Sequence, residues 1–454
     1  MSWTYPLEQI AAAAGGNATQ PDLTVSGVCT DTRKLKPGQL FVALKGDNFD
    51  ANDMLEEAYA KGAAAVVTTR NNAPGASIVC DDPLTALQSF ASWHRSRFDI
   101  PVLGITGSVG KTTTKDFTAT LLGSVFNVIK TPGNLNNAIG CPLSLLEIDE
   151  DTDFAVIEMG ANHAGEIRDL CLLAKPTESV ITMVGATHVE GFGGSIEDVA
   201  TAKAEIAEGL GPDGTFYVNT DNPWCLQIAR KFSGDKVYFG SGGQVRLEEC
   251  ISGPDGGMIL DVAPVGRMRL PLPVPAQAAS VLIAVAVGLR HGLTDFEVPL
   301  RQACLNAPRF RVAALGPLTV FDDSYNASPP SMRAALEALA LHRNGRKFAA
   351  LGDMFELGPM AESAHRELGV EAARQGVSAL FTLGPHAELV ADAARSAGLT
   401  DATAHESHES IARAVLERAQ PGDALLVKGS RGMRMEGVIR NLESMLAPEG
   451  STAA

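Results

Sequence analysis

Between residues 103 and 115 the chain reads LGITGSVGKTTTK. Two glycines, two lysines and three threonines follow an apolar run, a combination suited to holding phosphate. Gly107 and Gly110 permit positive φ and close backbone approach, so successive N–H groups and the start of a following helix can wrap an anion. Lys111 supplies a point charge for β- and γ-phosphates, and the Thr112 hydroxyl suits a Mg²⁺ ligand position. An ordinary phosphate loop has a further glycine five residues before Gly110, where this chain has Ile105.

Other reactive groups fall just after apolar runs. AVIEMGANHAGEI places Glu158 at a strand end, followed by Asn162 and His163. A carboxylate there can serve a Mg²⁺ ion or simply meet solvent. ITMVGATHVEGFGG places His188 after the next apolar run, and KTPGNLNNAIGCP clusters Asn134, Asn136 and Asn137 in a loop too polar for a core. Those amides suit a sugar, a peptide or plain turn-making. VATAKAEIAEGL reads as a helix, and by pattern alone its Lys203 and Glu205 belong to a solvated face.

Elements that could position these groups are legible in the periodicity. Short strands and an alanine-rich helix mix over residues 1–80, and CDDPLTALQSFASWHRSRF predicts a capped helix leading into a new unit. From residue 100 apolar strands (PVLGIT, FAVIEM, SVITMV) alternate with helices, the pattern of a buried parallel sheet. A second alternating series (LTVF, KFAALG, ALFTLG, ALLVKG) begins near residue 318 and predicts a separate doubly wound domain. Residues 240–275, rich in glycine, proline and valine, predict a small hairpin excursion. The expected fold is therefore α/β in three domains. A small mixed α/β domain spans 1–82, a phosphate-loop parallel-sheet domain 83–311, and a Rossmann-like doubly wound domain 312–454.

Composition narrows the partners. The 454 residues carry a formal net charge of −16, which argues against a nucleic-acid or anionic-membrane surface. Anionic ligands must then be met by local devices: metal ions, lysines and backbone amides. Seven cysteines without a CxxC pair suit reduced thiols in the cytoplasm. The N-terminus lacks a basic leader, the longest apolar run (VLIAVAVGL, 281–289) is too short to span a bilayer and reads as a buried helix, and the terminal APEGSTAA is expected to be disordered. A switch GTPase needs a DxxG and an NKxD element, and the chain contains neither.

Taken together, the segments resemble the Mur ligases over essentially the whole chain. TDTRKLKPGQLFVALKGDNFDAND (30–53) is similar to the uridine-nucleotide domain of members of that family. GITGSVGKTTTK is similar to the family's own phosphate loop, which also lacks the early glycine. DDSYNASPPSM (322–332), GDMFELG (352–358) and VKGSRGMRME (427–436) resemble the last domain of the member that joins D-alanyl-D-alanine to UDP-N-acetylmuramoyl-tripeptide in peptidoglycan synthesis. The resemblance implies that ATP phosphates are held by Thr106, Gly107, Ser108, Val109, Gly110, Lys111, Thr112 and Thr113. It implies two Mg²⁺ ions served by Thr112, Glu158, His188 and a carbamylated Lys203, with Lys111, Lys203, His188 and Arg309 as the catalytic set. Asp323 and Asn326 would approach the nucleotide from the third domain, and Thr32, Lys45, Asn134, Asn136 and Asn137 the UDP-sugar peptide.

The expected chemistry is an acyl phosphate formed from ATP and captured by the dipeptide's amine, with His163 or His188 as candidate base, in a monomer whose third domain closes over the second near Arg309. A sister ligase adding the third amino acid would be expected to carry a DNPR-type element where this chain has GDMFELG, and a folylpolyglutamate-type synthetase would not need the 30–53 segment. A catalytically dead partner would not need Lys111, Glu158, His188 and Lys203. The chain departs from the family at one place. Members commonly carry a His-Asn pair followed three residues later by Asn, and here stand Ala276, Gln277 and Ser280. That change is expected to alter the nucleotide contacts of the central domain while leaving the phosphate and metal groups intact.

Overall fold

The computed structural model describes residues 3–253, 257–307 and 309–447. The APEGSTAA stretch lies outside them from residue 448 onward.

The middle of the chain builds a six-stranded parallel sheet in the order Val128–Lys130, Phe154–Glu158, Val102–Thr106, Glu178–Ile181, Thr215–Asn219, Asp235–Phe239. Its strands are apolar end to end because helices cover both faces. Val102–Thr106 is flanked on either side by strands reached through crossovers running in opposite directions. The loops leaving it and its two neighbours therefore open at one crevice, where an open sheet collects ligands. Register sharpens this: Ile105 pairs with Glu158 and Thr106 with Ile181, which sets the Glu158 carboxylate beside the start of the phosphate loop.

Helix Lys111–Leu122 carries five threonines, three of them in its first turn, and has little intrinsic propensity. Packing holds it instead: Phe117, Leu121 and Leu122 are buried with the apolar helix Ala278–Arg290, and Thr114 Oγ1 donates to Ser280 Oγ at 3.0 Å. The excursion expected as a hairpin over 240–275 has three antiparallel strands, Arg246–Ser252, Met258–Ala263 and Gly266–Leu270. Their alternate residues Met258, Leu260, Val262, Met268 and Leu270 complete the core under Ala278–Arg290.

The N-terminal sheet of five short strands shares its core with the middle domain. Helix Pro83–Arg95 is capped by Asp82, which accepts from Leu84 N and Thr85 N, and it packs against Leu7–Ala14 on one side and Gly140–Leu145 and Glu166–Ala174 on the other. His94 on that helix is fully buried, hydrogen-bonded to Tyr5 Oη at 2.9 Å and donating from Nε2 to Ile148 O at 2.8 Å, while Trp3 Nε1 donates to Leu146 O.

In the C-terminal domain the order is Arg311–Leu315, Leu318–Asp323, Asp423–Lys428, Lys347–Gly352, Ala379–Leu383, Ala402–His405, parallel except for the first, edge pair. The last strand inserts between the early ones, a second switch point, so the loops 324–328, 429–432 and 353–357 converge. Two apolar clusters cover its faces, as a doubly wound sheet requires. Among the described residues no helix is long and apolar enough to cross a membrane.

One expectation is overturned here. Lys203 and Glu205 lie on helix Ile196–Glu208 as predicted, but on its inner face: both are buried, at 2% and 4% exposure. Periodicity misplaced them because each has a buried task described below.

Candidate active site

The two crevices face each other across a cavity of about 1060 Å³ lined by all three of the middle domain's reactive loops and by the converging loops of the third domain. The phosphate loop is built by its glycines. Gly107 has φ 143°, and a Cβ there would stand 2.0 Å from Thr182 Oγ1. Gly110 has φ 89° and opens helix Lys111–Leu122. Ser108 N donates to Met183 O, Ser108 Oγ to Gly185 O, and Thr182 Oγ1 to Val109 O at 2.6 Å, pinning the loop to the neighbouring strand end. Ser108 through Thr113 line the cavity, whereas Thr106 and Gly107 do not.

Lys111 Nζ donates back to Gly107 O at 2.7 Å across the mouth of the loop. Burial lowers its pKa, against the pull of Glu158. Glu158 is 1% exposed, so its reading as a solvated strand-end acid does not hold. Its Oε1 accepts from Thr112 Oγ1 at 3.1 Å and Asn136 Nδ2 at 2.8 Å, while Oε2 is buried with no hydrogen-bond partner and 3.7 Å from Lys115 Nζ. A buried carboxylate oxygen without a donor, beside a hydroxyl and next to a phosphate loop, is a hard-cation ligand by chemistry.

Lys203 lies behind this wall. Its Nζ sits 4.8 Å from the Phe192 ring centroid, and burial, aided by the positive charge of Lys111, pushes its pKa down to about 7. Glu205 has the structural task, accepting from Gly165 N at 2.7 Å and Arg168 N at 3.0 Å at the start of helix Glu166–Ala174. His188 stands in left-handed backbone, φ 52°, at the head of a short helix. Its Nδ1 is hydrogen-bonded to the Glu356 carboxylate of the third domain, and burial lowers its pKa against that partner. Lys111 and Lys203 both raise the positive potential at His188, so the four groups share one electrostatic centre.

Arg309 reaches from the start of the third domain to the phosphate-loop helix. Its guanidinium stacks 3.4 Å from the Tyr325 ring centroid and reaches Thr112 Oγ1 at 3.5 Å. Asp323 lines the cavity bound to Lys428 Nζ at 2.5 Å, and the same amine donates to the Asn326 carbonyl. Burial holds the Asp323 carboxyl above its ordinary value, against Lys428.

The remaining expectations divide. Asn134, Asn136 and Asn137 line the cavity, but Asn137 Oδ1 is occupied by Ile139 N and Gly140 N, the start of the next helix, and Asn136 by Glu158. Thr32 is buried in the N-terminal domain and Lys45 exposed on a hairpin there, neither lining the cavity. His163 faces Glu166 on the surface, outside the cavity. Gln277 and Ser280 line the cavity beside the phosphate loop, with Gln277 Oε1 buried and unpartnered.

Sequence reading passed over four residues of the site. Lys115 is 1% exposed, donates to Gly133 O at 2.7 Å and lies 3.6 Å from Asp116 and 3.7 Å from Glu158. It follows Lys111 by one helical turn, the one signal that could have found it. Lys428, Glu356 and Arg431 sat inside motifs noted for resemblance and given no task.

Comparison with known proteins agrees with this picture. Family models match in three blocks: the Mur ligase family catalytic domain over 24–86, the Mur ligase middle domain over 105–288, and the Mur ligase glutamate ligase domain over 308–431. The UDP-N-acetylmuramoyl-tripeptide–D-alanyl-D-alanine ligase of Bacillus subtilis is 35% identical over 448 residues, covering 96% of this chain and 98% of the relative. The Escherichia coli enzyme of the same name is 34% identical, with 96% and 98% covered. Among solved structures, MurF from Acinetobacter baumannii superposes with TM-score 0.89 at 29% identity, covering 97% and 99% of the two chains. MurF ligase from Thermotoga maritima in complex with ADP gives 0.83 at 28%, with 93% and 98% covered.

Proposed function

The chain belongs to the Mur ligase family, and from that premise we propose that it joins D-alanyl-D-alanine to UDP-N-acetylmuramoyl-tripeptide at the expense of ATP, giving the pentapeptide precursor of peptidoglycan. The observation that carries the reading is the near end-to-end match to relatives of that activity, together with a phosphate loop, a buried carboxylate and a third-domain arginine on one cavity.

Amide formation in water needs an activated carboxylate, because hydroxide is a poor leaving group. The tripeptide's terminal carboxylate attacks the γ-phosphorus of ATP, ADP leaves, and the dipeptide's amine attacks the resulting acyl phosphate. Phosphate departs from the tetrahedral intermediate. The first step brings two anions together. Lys111 and the loop amides from Ser108 to Thr113 hold the phosphates, and Arg309, stacked on Tyr325, approaches the same charge from the other domain. Asp323 and Asn326 face the nucleotide from that side, and Asn134 and Asn136 the peptide. Thr32 and Lys45 belong to the uridine end, in the 1–82 domain of the proposed 1–82, 83–311 and 312–454 division.

The donor set fits Mg²⁺: Glu158 Oε2 lacks a hydrogen-bond partner, and Thr112 Oγ1 adjoins the same carboxylate at Oε1. Thr112 and Glu158 would hold one ion, and His188 and Lys203 would serve a second, Lys203 as a carbamate. The depressed pKa of Lys203, about 7, supports this, since only a neutral amine takes up CO₂. Bound there, Mg²⁺ would screen the negative charge of the phosphates. Soluble charged substrates support a cytoplasmic enzyme, and we read it as a monomer.

Phosphate release from ATP tests the whole. It is expected only with both UDP-muramoyl tripeptide and D-alanyl-D-alanine present; release with a free amino acid in place of the dipeptide would overturn the assignment.

A further inference from the structure

Lys115 is a buried cation that the mechanism above leaves without a task. Its side chain and that of Glu158 are each 1% exposed, and Nζ stands 3.7 Å from Glu158 Oε2. That separation is too long for a hydrogen bond, so the ammonium attracts the carboxylate oxygen without donating to it. We propose that Lys115 is a positioning residue that holds a cation's place at Glu158. Its ammonium neutralises the carboxylate in the nucleotide-free enzyme and keeps a divalent ion from settling there alone, so that the ion enters only together with the nucleotide's phosphates. The inference rests on the reading of Thr112 and Glu158 as a Mg²⁺ site.

The two oxygens of Glu158 are used unequally. Oε1 accepts from Thr112 Oγ1 at 3.1 Å and from Asn136 Nδ2 at 2.8 Å, whereas Oε2 is buried and accepts from nothing. A bare buried carboxylate oxygen is costly. Among the described residues Lys115 is the ion-pair partner that offsets this cost, while Lys111, hydrogen-bonded to Gly107 O, acts on Glu158 from farther off. The ammonium and a bound ion stabilise the same oxygen, so each can take the other's place.

Lys115 is also held where it stands. Its Nζ donates to Gly133 O at 2.7 Å, Asp116 lies 3.6 Å away, and helix Lys111–Leu122 fixes its backbone one turn beyond Lys111. A dication on Oε2 alone would meet that fixed positive charge in a space little screened by solvent, where like charges repel strongly. The wall as a whole points the same way. Lys111, Lys115 and Arg309 gather around one carboxylate, Glu158, and Asp116 is already paired to Lys130 at 2.8 Å. Without nucleotide this wall is positive. A bound triphosphate reverses its sign, and the same oxygen can then take the ion.

The test is calorimetric titration of the full-length enzyme with Mn²⁺, as a probe for Mg²⁺, with and without the non-hydrolysable ATP analogue AMPPNP. Without the analogue, K115M is expected to bind Mn²⁺ about tenfold or more tightly than wild type, K115R to stay within about threefold of wild type, and K115M/E158Q to lose the gain. Added Mn²⁺ is expected to restore the urea stability of K115M and leave that of nucleotide-free wild type unmoved, a rescue that a merely structural lysine does not produce. E158Q is expected to match wild type within about twofold without AMPPNP and to bind Mn²⁺ about tenfold or more weakly with it. A folded K115M that binds Mn²⁺ no better than wild type overturns the inference. So does nucleotide-free wild type that already loses Mn²⁺ affinity on E158Q, and this comparison decides alone if K115M does not fold. An E158Q enzyme that binds Mn²⁺ like wild type in the presence of AMPPNP overturns the metal-site reading instead.

Discussion

At the scale of single residues the site is a set of charges whose surroundings, more than their identities, define their tasks. Lys203 is the clearest case, an amine that burial and Lys111 bring to about pH 7. Above that value it is neutral and can add CO₂; below it the ammonium cannot. Turnover at limiting CO₂ is therefore expected to fall on acidification through pH 7 and to recover with added bicarbonate on the alkaline side, measured as phosphate release. Lys203→Ala is expected to abolish turnover at every bicarbonate concentration; near-wild-type rates in that variant would remove the carbamate from the mechanism. Gly107 gives a steric counterpart. With φ 143° and a Cβ 2.0 Å from Thr182 Oγ1, Gly107→Ala must move the phosphate loop. ATP binding is expected to weaken at least tenfold by calorimetry, about 1.4 kcal/mol or more, in line with the roughly 1–3 kcal/mol of backbone strain.

At the scale of elements, polar side chains at element ends do the joining. Glu205 satisfies two amides at the start of helix Glu166–Ala174 from a different helix. Glu205→Ala is expected to lower stability by about 1–2 kcal/mol in urea unfolding, the ATP site remaining intact. Lys115 ties the phosphate-loop helix to the strand end at Glu158 and to the asparagine loop through Gly133 O. Removing it leaves the buried Glu158 carboxylate without its ion-pair partner, so Lys115→Met is expected to cost about 3–5 kcal/mol. Neither task shows in helical periodicity, which sees only which face a residue occupies. The motif strings were visible; that Lys115 and Glu205 point inward was not, because their partners lie 18 to 43 residues away along the chain.

At the scale of the whole molecule, the first two domains share one core, whereas the third packs on its own two clusters and meets the middle domain through Arg309, His188 and Glu356. Calorimetry is expected to show residues 1–311 unfolding together and the third domain separately. Trp3→Ala should lower the first transition by about 3–5 kcal/mol and leave the second in place. His94, buried in that shared core, has its pKa lowered by burial. The unfolded chain then binds a proton that the folded chain resists, so this group destabilises the first transition progressively below pH 6.5 and has no effect above it. An acid shift of the first transition that is undiminished in His94→Gln would contradict that assignment.

The order of apolar strands and glycine turns determined, without any structure, that this chain makes a parallel sheet, a doubly wound domain and a phosphate loop, since strand periodicity and positive-φ turns are local properties. The string of motifs carried the family. Only the tertiary structure decided that Glu158 and Lys203 are buried, that Asn137 and Glu205 serve helix starts, and that Glu356 meets His188. Those outcomes depend on which distant groups share a low-dielectric space, and folding alone brings such groups together.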